Sequence, residues 1–206
     1  MIEQGTTEWK AQRVGKVTAS RVADVIAKTK TGPSASRVNY EAQIVCERLT
    51  GVATEGYTNA AMQHGIDTEP QARSAYEFMR NVDVVLASFV DHPRVPMSGA
   101  SPDGFVGDDG LIEIKCPQQA AHLETLLTRK VPAKYVTQMM WQMAVTERQW
   151  CDYVSFNPTF PPHLQLFVQR VHRDEAMISE LEKEVLAFLA DVDRKVTQLH
   201  PRAEAA

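Results

Sequence analysis

The chain has 206 residues, of which 44% are hydrophobic and 23% charged, with a formal net charge of −4. This is the composition of one globular domain with a sizeable core, not of a disordered or fibrous chain. No apolar run approaches the ~20 residues of a membrane helix, and three scattered cysteines without a CxxC pair argue for reduced thiols and against zinc or iron–sulfur ligation.

Residues 8–16 read as a short helix carrying Trp9 and Arg13. Thr18-Ala19-Ser20 precedes the apolar positions Val22, Val25 and Ile26, which predicts a helix start with a hydroxyl cap. Thr31-Gly32-Pro33-Ser34 reads as a loop, residues 36–50 as a helix ended by Gly51, and residues 58–80 as helical with Pro70 at a new first turn or a kink. Residues 82–90 read as a strand and 93–97 as a break. A hairpin then occupies about 97–116, with Asp108-Asp109-Gly110 at its turn. Helices at 118–128 and 132–146 follow, then strands at 151–156 and 164–171. The closing helix, 174–199, aligns Ile178, Leu181, Val185, Phe188, Val192, Val196 and Leu199 on one stripe, which reads as core packing. This order predicts a single α/β domain over 1–206, with a mixed central β-sheet flanked by helices, a core of about 8–199 and a short flexible tail at 200–206. The opening Met1-Ile2-Glu3-Gln4-Gly5 lacks a signal-peptide pattern.

The chemistry concentrates in Ser101-Pro102-Asp103-Gly104 and Glu113-Ile114-Lys115, with nine residues between Asp103 and Glu113. Glu113 and Lys115 are two apart on a strand, so they share a face. Two carboxylates and an amine on one sheet edge suit a hard divalent cation with a phosphate substrate. The same spacing alone also fits a polar hairpin with an exposed Glu/Lys pair. Glu69 lies on a helix just before the strands; it could reach the cluster, with Asp67 as its local competitor, or it could face solvent. Tyr135, Gln138 and Gln142 share a helix face. Their phenol and amides suit contacts to phosphate or water, while Gln138 equally fits a buried amide satisfied by backbone. Met139, Met140, Trp141 and Met143 read as core. Arg13, Thr18 and Ser20 suit a phosphate at a helix N-terminus, or a plain cap beside a surface arginine. Residues 1–40 carry seven Lys or Arg against three acids, a local excess that fits a phosphate-binding face. The six histidines show no paired metal spacing, and no phosphate-loop, dinucleotide or GxSxG fingerprint is present.

Taken in order, these blocks resemble the phage lambda exonuclease, or YqaJ-like viral recombinase, family of the PD-(D/E)xK nuclease superfamily. The carrying segments are Trp9 with Arg13-Val14-Gly15-Lys16-Val17-Thr18-Ala19-Ser20, Gly65 to Glu69 with Ala72-Arg73, Ser101-Pro102-Asp103-Gly104, Glu113-Ile114-Lys115-Cys116-Pro117 and Tyr135-Val136-Thr137-Gln138-Met139. The resemblance implies a restriction-endonuclease-like core and a processive 5′→3′ exonuclease acting on linear duplex DNA. It implies release of 5′-mononucleotides and 3′ overhangs for recombination by single-strand annealing. It assigns Asp103, Glu113 and the Ile114 carbonyl to Mg²⁺, with two ions expected and Mn²⁺ as a substitute. Glu69 and Gln138 would support the water and second ion, and Lys115 would position or activate the water. Arg13, Thr18 and Ser20 would hold the terminal 5′-phosphate, Lys30 and Tyr135 would touch DNA, and Met62 falls at a strand-separating wedge. Lys30 keeps the charge but not the bidentate group of a family arginine, and His64 stands in place of an aromatic residue. The resemblance further implies a homotrimeric ring, a single-strand annealing partner, no membrane, and a phage or prophage protein in the bacterial cytosol. The residue reading leaves two other classes open: a structure- or site-specific endonuclease, and a non-catalytic DNA-binding recombination protein.

Overall fold

The structure is a computed structural model and describes residues 2–54 and 60–199. Helix α1 (Thr7–Arg13) leads to β1 (Val17–Thr18), a 3₁₀ turn (Ala19–Arg21), α2 (Val22–Ile26), and a small hairpin of β2 (Lys28–Thr29) and β3 (Gly32–Pro33). Two longer helices follow, α3 (Ala35–Thr50) and α4 (Ala60–Arg80). Five strands come next: β4 (Val84–Val85), β5 (Val90–Asp91), β6 (Ser98–Ala100), β7 (Gly104–Val106) and β8 (Gly110–Lys115). The chain closes with α5 (Gln119–Thr128), α6 (Ala133–Thr146), β9 (Trp150–Phe156), β10 (Leu166–His172) and α7 (Glu175–Leu199).

The central sheet has five strands in the order β10-β9-β8-β7-β4, and a smaller sheet joins β1-β6-β5. Within the central sheet β8 and β9 run parallel, with Glu113 opposite Tyr153. The other pairs are antiparallel. The expected mixed sheet flanked by helices is therefore the one observed. A parallel pair cannot be closed by a tight turn, so the chain must cross over between the two strands. Helices α5 and α6 are that crossover. Alternation along β8 sorts its side chains between two cores. Leu111 joins the larger core with α6 and α7, whereas Ile112 and Ile114 join Ala72 and Tyr76 beneath α4.

Local chemistry sets several boundaries. Ser34 Oγ accepts from the Arg37 N–H at 3.2 Å and starts α3. Gly51, at φ +69°, ends α3 in the left-handed conformation that costs glycine least. The stripe on α7 is core at Ile178, Leu181, Val185, Phe188 and Val192, thins at Val196, and is exposed at Leu199. Pro70 lies inside one continuous helix, α4, rather than opening a new one.

Three expectations change. Residues 82–90 are not one strand. β4 edges the central sheet and β5 the smaller one. An apolar run does not say whether a chain keeps one partner or changes sheet. The hydroxyl-capped helix at Thr18 is absent too. Thr18 is a strand residue paired with Gly99, and neither the 3₁₀ turn nor α2 has a side-chain cap. Of the loop expected at 31–34, Gly32–Pro33 is strand β3, paired with Lys28–Thr29, and Lys30-Thr31 form the turn between them. The tail at 200–206 lies outside the described residues.

A buried ion pair ties the smaller core together. Asp152 is fully buried, and its carboxylate accepts from Arg170 Nε at 2.8 Å, Arg170 Nη2 at 2.9 Å and Tyr76 Oη at 2.9 Å. The Arg170 guanidinium also lies 3.4 Å above the Trp150 ring centre. Arg170→Met is expected to cost about 3 kcal/mol, the low end for a broken buried pair because Arg170 is partly exposed. Urea unfolding measures it, and pairing the change with Asp152→Asn should recover part of the loss.

Candidate nuclease site

The site is organised around Glu113, which has no exposed surface. A buried carboxylate is tolerated only when its oxygens find donors. Here three side chains supply them. Lys115 Nζ lies 2.5 Å from Oε1, and Gln138 Nε2 donates to the same oxygen at 2.7 Å. Gln142 Nε2 donates to Oε2 at 2.6 Å. Lys115 reaches Glu113 because the two share one face of β8, and the glutamines reach it because α6 returns across that face. Gln138 is thus not a buried amide satisfied by backbone. Gln142 Oε1 has no partner, so its amide is placed by Glu113 alone.

Asp103 sits where β7 begins. Its Oδ2 accepts the Ile114 N–H at 2.6 Å, just past the last β7–β8 pair, Gly104 with Ile112. Burial pushes the Asp103 carboxyl well above the usual range, and the Glu113 and Glu69 charges add to the effect against Lys115 and the Ile114 hydrogen bond. Glu69 is half-buried, 3.6 Å from Arg73, and also raised, first by burial and further by Glu113. Asp67, by contrast, is exposed and accepts from Gln63 at 2.8 Å. Burial opposes the Lys115 ammonium, yet Glu113 and Asp103 together outweigh it and hold the proton more tightly than usual. Lys115 is therefore an ammonium donor to Glu113 in this arrangement. Its ammonium lies 5.1 Å from the Tyr135 ring centre, and Tyr135 stacks on Tyr153.

Among the described residues no group of three or more His, Cys, Asp or Glu is arranged as a metal-ligand set. Lys115 and the two amides occupy the Glu113 oxygens, and Asp103 Oδ2 accepts the Ile114 N–H. The donor chemistry nonetheless suits a hard divalent cation. Three carboxylates lie with the Lys115 ammonium and the Arg73 guanidinium, and burial first, then the carboxylates' mutual repulsion, raises the proton affinity of Asp103 and Glu69, an excess of negative charge that such an ion relieves.

The phosphate-binding candidates are less uniformly gathered. The Arg13 guanidinium lies 3.8 Å above the Trp9 ring centre and has no carboxylate partner among the described residues. Burial lowers its pKa, against Tyr40 and Glu47. Trp9 Nε1 donates to Ser101 Oγ at 2.9 Å, and Gln4 Nε2 donates to the Pro102 carbonyl at 2.9 Å. The N-terminal segment is thereby fastened to the loop that carries Asp103. Thr18 is buried, and its N–H donates to Tyr40 Oη at 3.2 Å, while Ser20 is exposed. With α2 only five residues long, the helix-terminus argument for a phosphate does not apply at Thr18. Lys30 sits exposed at the tip of the β2–β3 hairpin, which a Lys28–Glu184 pair ties to α7 rather than to the carboxylates. Met62 lies in the first turn of α4, and its side chain is outside the described residues. Sequence reasoning placed Ser101 in the motif without a role of its own and left Gln142 without a specific partner. Ser101 sits two residues from Asp103, and Gln142 one helical turn beyond Gln138, the only signals available.

Two cavities, of about 330 and 310 Å³, lie away from the carboxylates, one beside Gln119, Leu123 and Phe160, the other beside Tyr76, Arg80 and Trp150.

The YqaJ-like viral recombinase domain matches residues 8–149. The chain is similar to a crystal structure of LHK-Exo in complex with dAMP at 50% identity and a TM-score of 0.89, covering 94% of this chain and 96% of that one. A second crystal structure, of the alkaline exonuclease LHK-Exo from Laribacter hongkongensis, matches at 49% identity with the same coverage and TM-score. A phage-related exonuclease from Haemophilus somnus 129PT shares the fold at 15% identity, with a TM-score of 0.74 over 89% of this chain and 96% of that one. No curated protein matches the chain.

Replacing Gln142 with Met keeps the volume but leaves Glu113 Oε2 without its donor. A loss of about 2 kcal/mol is expected for a buried charged acceptor left unpaired. Urea unfolding at neutral pH reads it, and a variant as stable as the parent would show that Gln142 does not support Glu113.

Proposed function

The chain belongs to the YqaJ-like viral recombinase family, and from that premise we propose that it is a metal-dependent deoxyribonuclease that digests linear duplex DNA from 5′ ends. Its fold is the PD-(D/E)xK-like fold of the alkaline exonucleases it resembles. The carrying observation is the buried Glu113, set by two amides and Lys115 beside Asp103 and Glu69.

In this reading Asp103, Glu113 and the Ile114 carbonyl, supported by Glu69, hold one or two Mg²⁺ ions, for which Mn²⁺ substitutes. When bound, such ions supply acidity to a water and counter-charge to a phosphate. The protein's own groups do the rest. Lys115, kept as an ammonium by its carboxylate neighbours, donates to the water or a phosphate oxygen and steadies negative charge there. Gln138 fixes Glu113 and, with Glu69, orients the water. Arg13, with no carboxylate partner among the described residues and set against Trp9, which bonds Ser101, receives the terminal 5′-phosphate with a bidentate contact, helped by Thr18 and Ser20. Holding that end phosphate places the first phosphodiester over the carboxylates, which accounts for polarity and for 5′-mononucleotide release.

The remaining assignments rest on the family resemblance. Tyr135 and Lys30 contact DNA, and Met62 parts the strands. A homotrimeric ring around DNA would account for processivity. The 3′ overhang would be taken up by a single-strand annealing protein, in the cytosol of a bacterium carrying a phage or prophage. Among the described residues no helix is long and apolar enough to cross a membrane.

Digestion of linear duplex labelled at either the 5′ or the 3′ terminus tests the reading. With Mg²⁺ the 5′ label should leave first, as mononucleotide, while closed circles persist and EDTA stops the reaction. Cut circles would favour an endonuclease, and DNA binding without any cleavage would favour a recombination-assembly role. Lys115→Ala should lower the rate by about 100- to 1,000-fold, as loss of a placed charge-stabilising group does.

Arg13 makes a separate prediction. Arg13→Ala should remove the preference for 5′-phosphorylated over 5′-hydroxyl ends in competition digests. An equal loss on both substrates would show that Arg13 does not read the end.

A further inference from the structure

The cations of this chain are unevenly committed. Lys16, Arg21, Arg37, Arg48, Arg94 and Arg173 each sit against a carboxylate. Arg148 is held by the carbonyls of Gly107 and Gly110. At the turn between α5 and α6 the pattern reverses. Residues 125–146 contain Arg129, Lys130 and Lys134 and no Asp or Glu. All three side chains are exposed, and none has a carboxylate partner among the described residues.

The patch is continuous with the carboxylate cluster. Lys134 Nζ lies 4.7 Å from the Tyr135 ring centre, and Lys115 Nζ lies 5.1 Å from the same centre. The two ammonium groups are therefore less than about 10 Å apart, within one Debye length at 0.1 M salt, and act on a shared path. Arg129 is held at φ +51° as the last cap of α5, its N–H on the Thr125 carbonyl at 2.9 Å. Its guanidinium lies over the Phe167 ring. Like charges gathered without counter-ions repel one another, and a polyanion removes that cost. Cations interleaved with an aromatic ring are the make-up of a surface that tracks a nucleic-acid strand.

We propose that the α5–α6 turn is a second DNA contact, in which Arg129, Lys130 and Lys134 grip the phosphodiester backbone of the strand passing Lys115. The inference rests on the nuclease reading above for its choice of polyanion. It is separate from the end-phosphate role of Arg13, because this contact recognises internal phosphates whatever the state of the terminus.

The test is the salt dependence of DNA binding, read by fluorescence anisotropy in EDTA on a labelled duplex with a 3′ overhang. Each lost phosphate contact reduces the slope of log affinity against log salt by about 0.9 on duplex and about 0.7 on single strand. Lys130→Ala/Lys134→Ala should therefore reduce it by about 1.8 or about 1.4, and the value tells which form of the strand lies on the turn. Affinity at 0.1 M salt should fall several-fold per lysine. Lys183→Ala serves as control, since Lys183 on α7 is already paired with Glu180, and it should leave the slope unchanged. A folded double variant with wild-type slope and affinity, in a chain whose parent digests linear duplex with Mg²⁺, overturns this inference alone. A parent that neither binds nor digests DNA removes the nuclease reading and this inference with it.

Discussion

A fully buried carboxylate sets the terms for the rest of this molecule. Glu113 lies inside the central sheet's larger core face, where an ionised group is stable only with donors on each oxygen. β8 supplies one donor from two residues along, Lys115. The other two come from α6, which is brought there by the connection that a parallel β8–β9 pair requires. The same alternation that turns Glu113 toward α6 turns Ile112 and Ile114 toward α4. Fold and site therefore share one cause: the register of β8 decides at once where the hydrophobic layers meet and where the charge is buried.

That arrangement leaves the electrostatics deliberately incomplete. Burial, and then the charges of Asp103, Glu113 and Glu69 set against Lys115 and Arg73, raises the proton affinity of Asp103 and Glu69, while Glu113 and Asp103 tighten Lys115's hold on its own proton. An interior built only for stability replaces such a cluster with apolar packing. The Tyr76–Asp152–Arg170 network on the other face shows the contrast, since there a single buried carboxylate has a bidentate arginine and a phenol and needs nothing further. Of the two fully buried carboxylates, Glu113 and Asp152, the first sits in the cluster with charge left over for a ligand.

The N-terminal segment matters through contacts that are remote in sequence. Gln4 and Trp9 bind the Ser101-Pro102 loop, so the segment that carries Arg13, whose guanidinium lies over Trp9, is docked on the loop that delivers Asp103. In the proposed reading, end recognition and phosphodiester cleavage are linked through that docking. The free cations of the α5–α6 turn then continue the positive surface away from Lys115.

The sequence by itself determined the local pieces. Period-two alternation placed Glu113 and Lys115 on one face, Asp108-Asp109-Gly110 marked the turn, Gly51 marked the end of α3, and the α7 stripe marked the side that packs. Each of these depends on neighbours within a few residues, so composition and spacing carry it. What the sequence left open was decided by long-range partners. Whether 82–90 was one strand or two depended on which sheets it met. Whether Thr18 capped a helix depended on its pairing with Gly99. Whether Glu69 met the cluster depended on the packing of α4 against β8, and whether Gln138 did, and that Gln142 and Ser101 belong beside it, depended on the crossover of α6 and the docking of Trp9. Such choices are settled by burial and by the need to satisfy buried polar groups across the fold, and no local window of sequence contains that information.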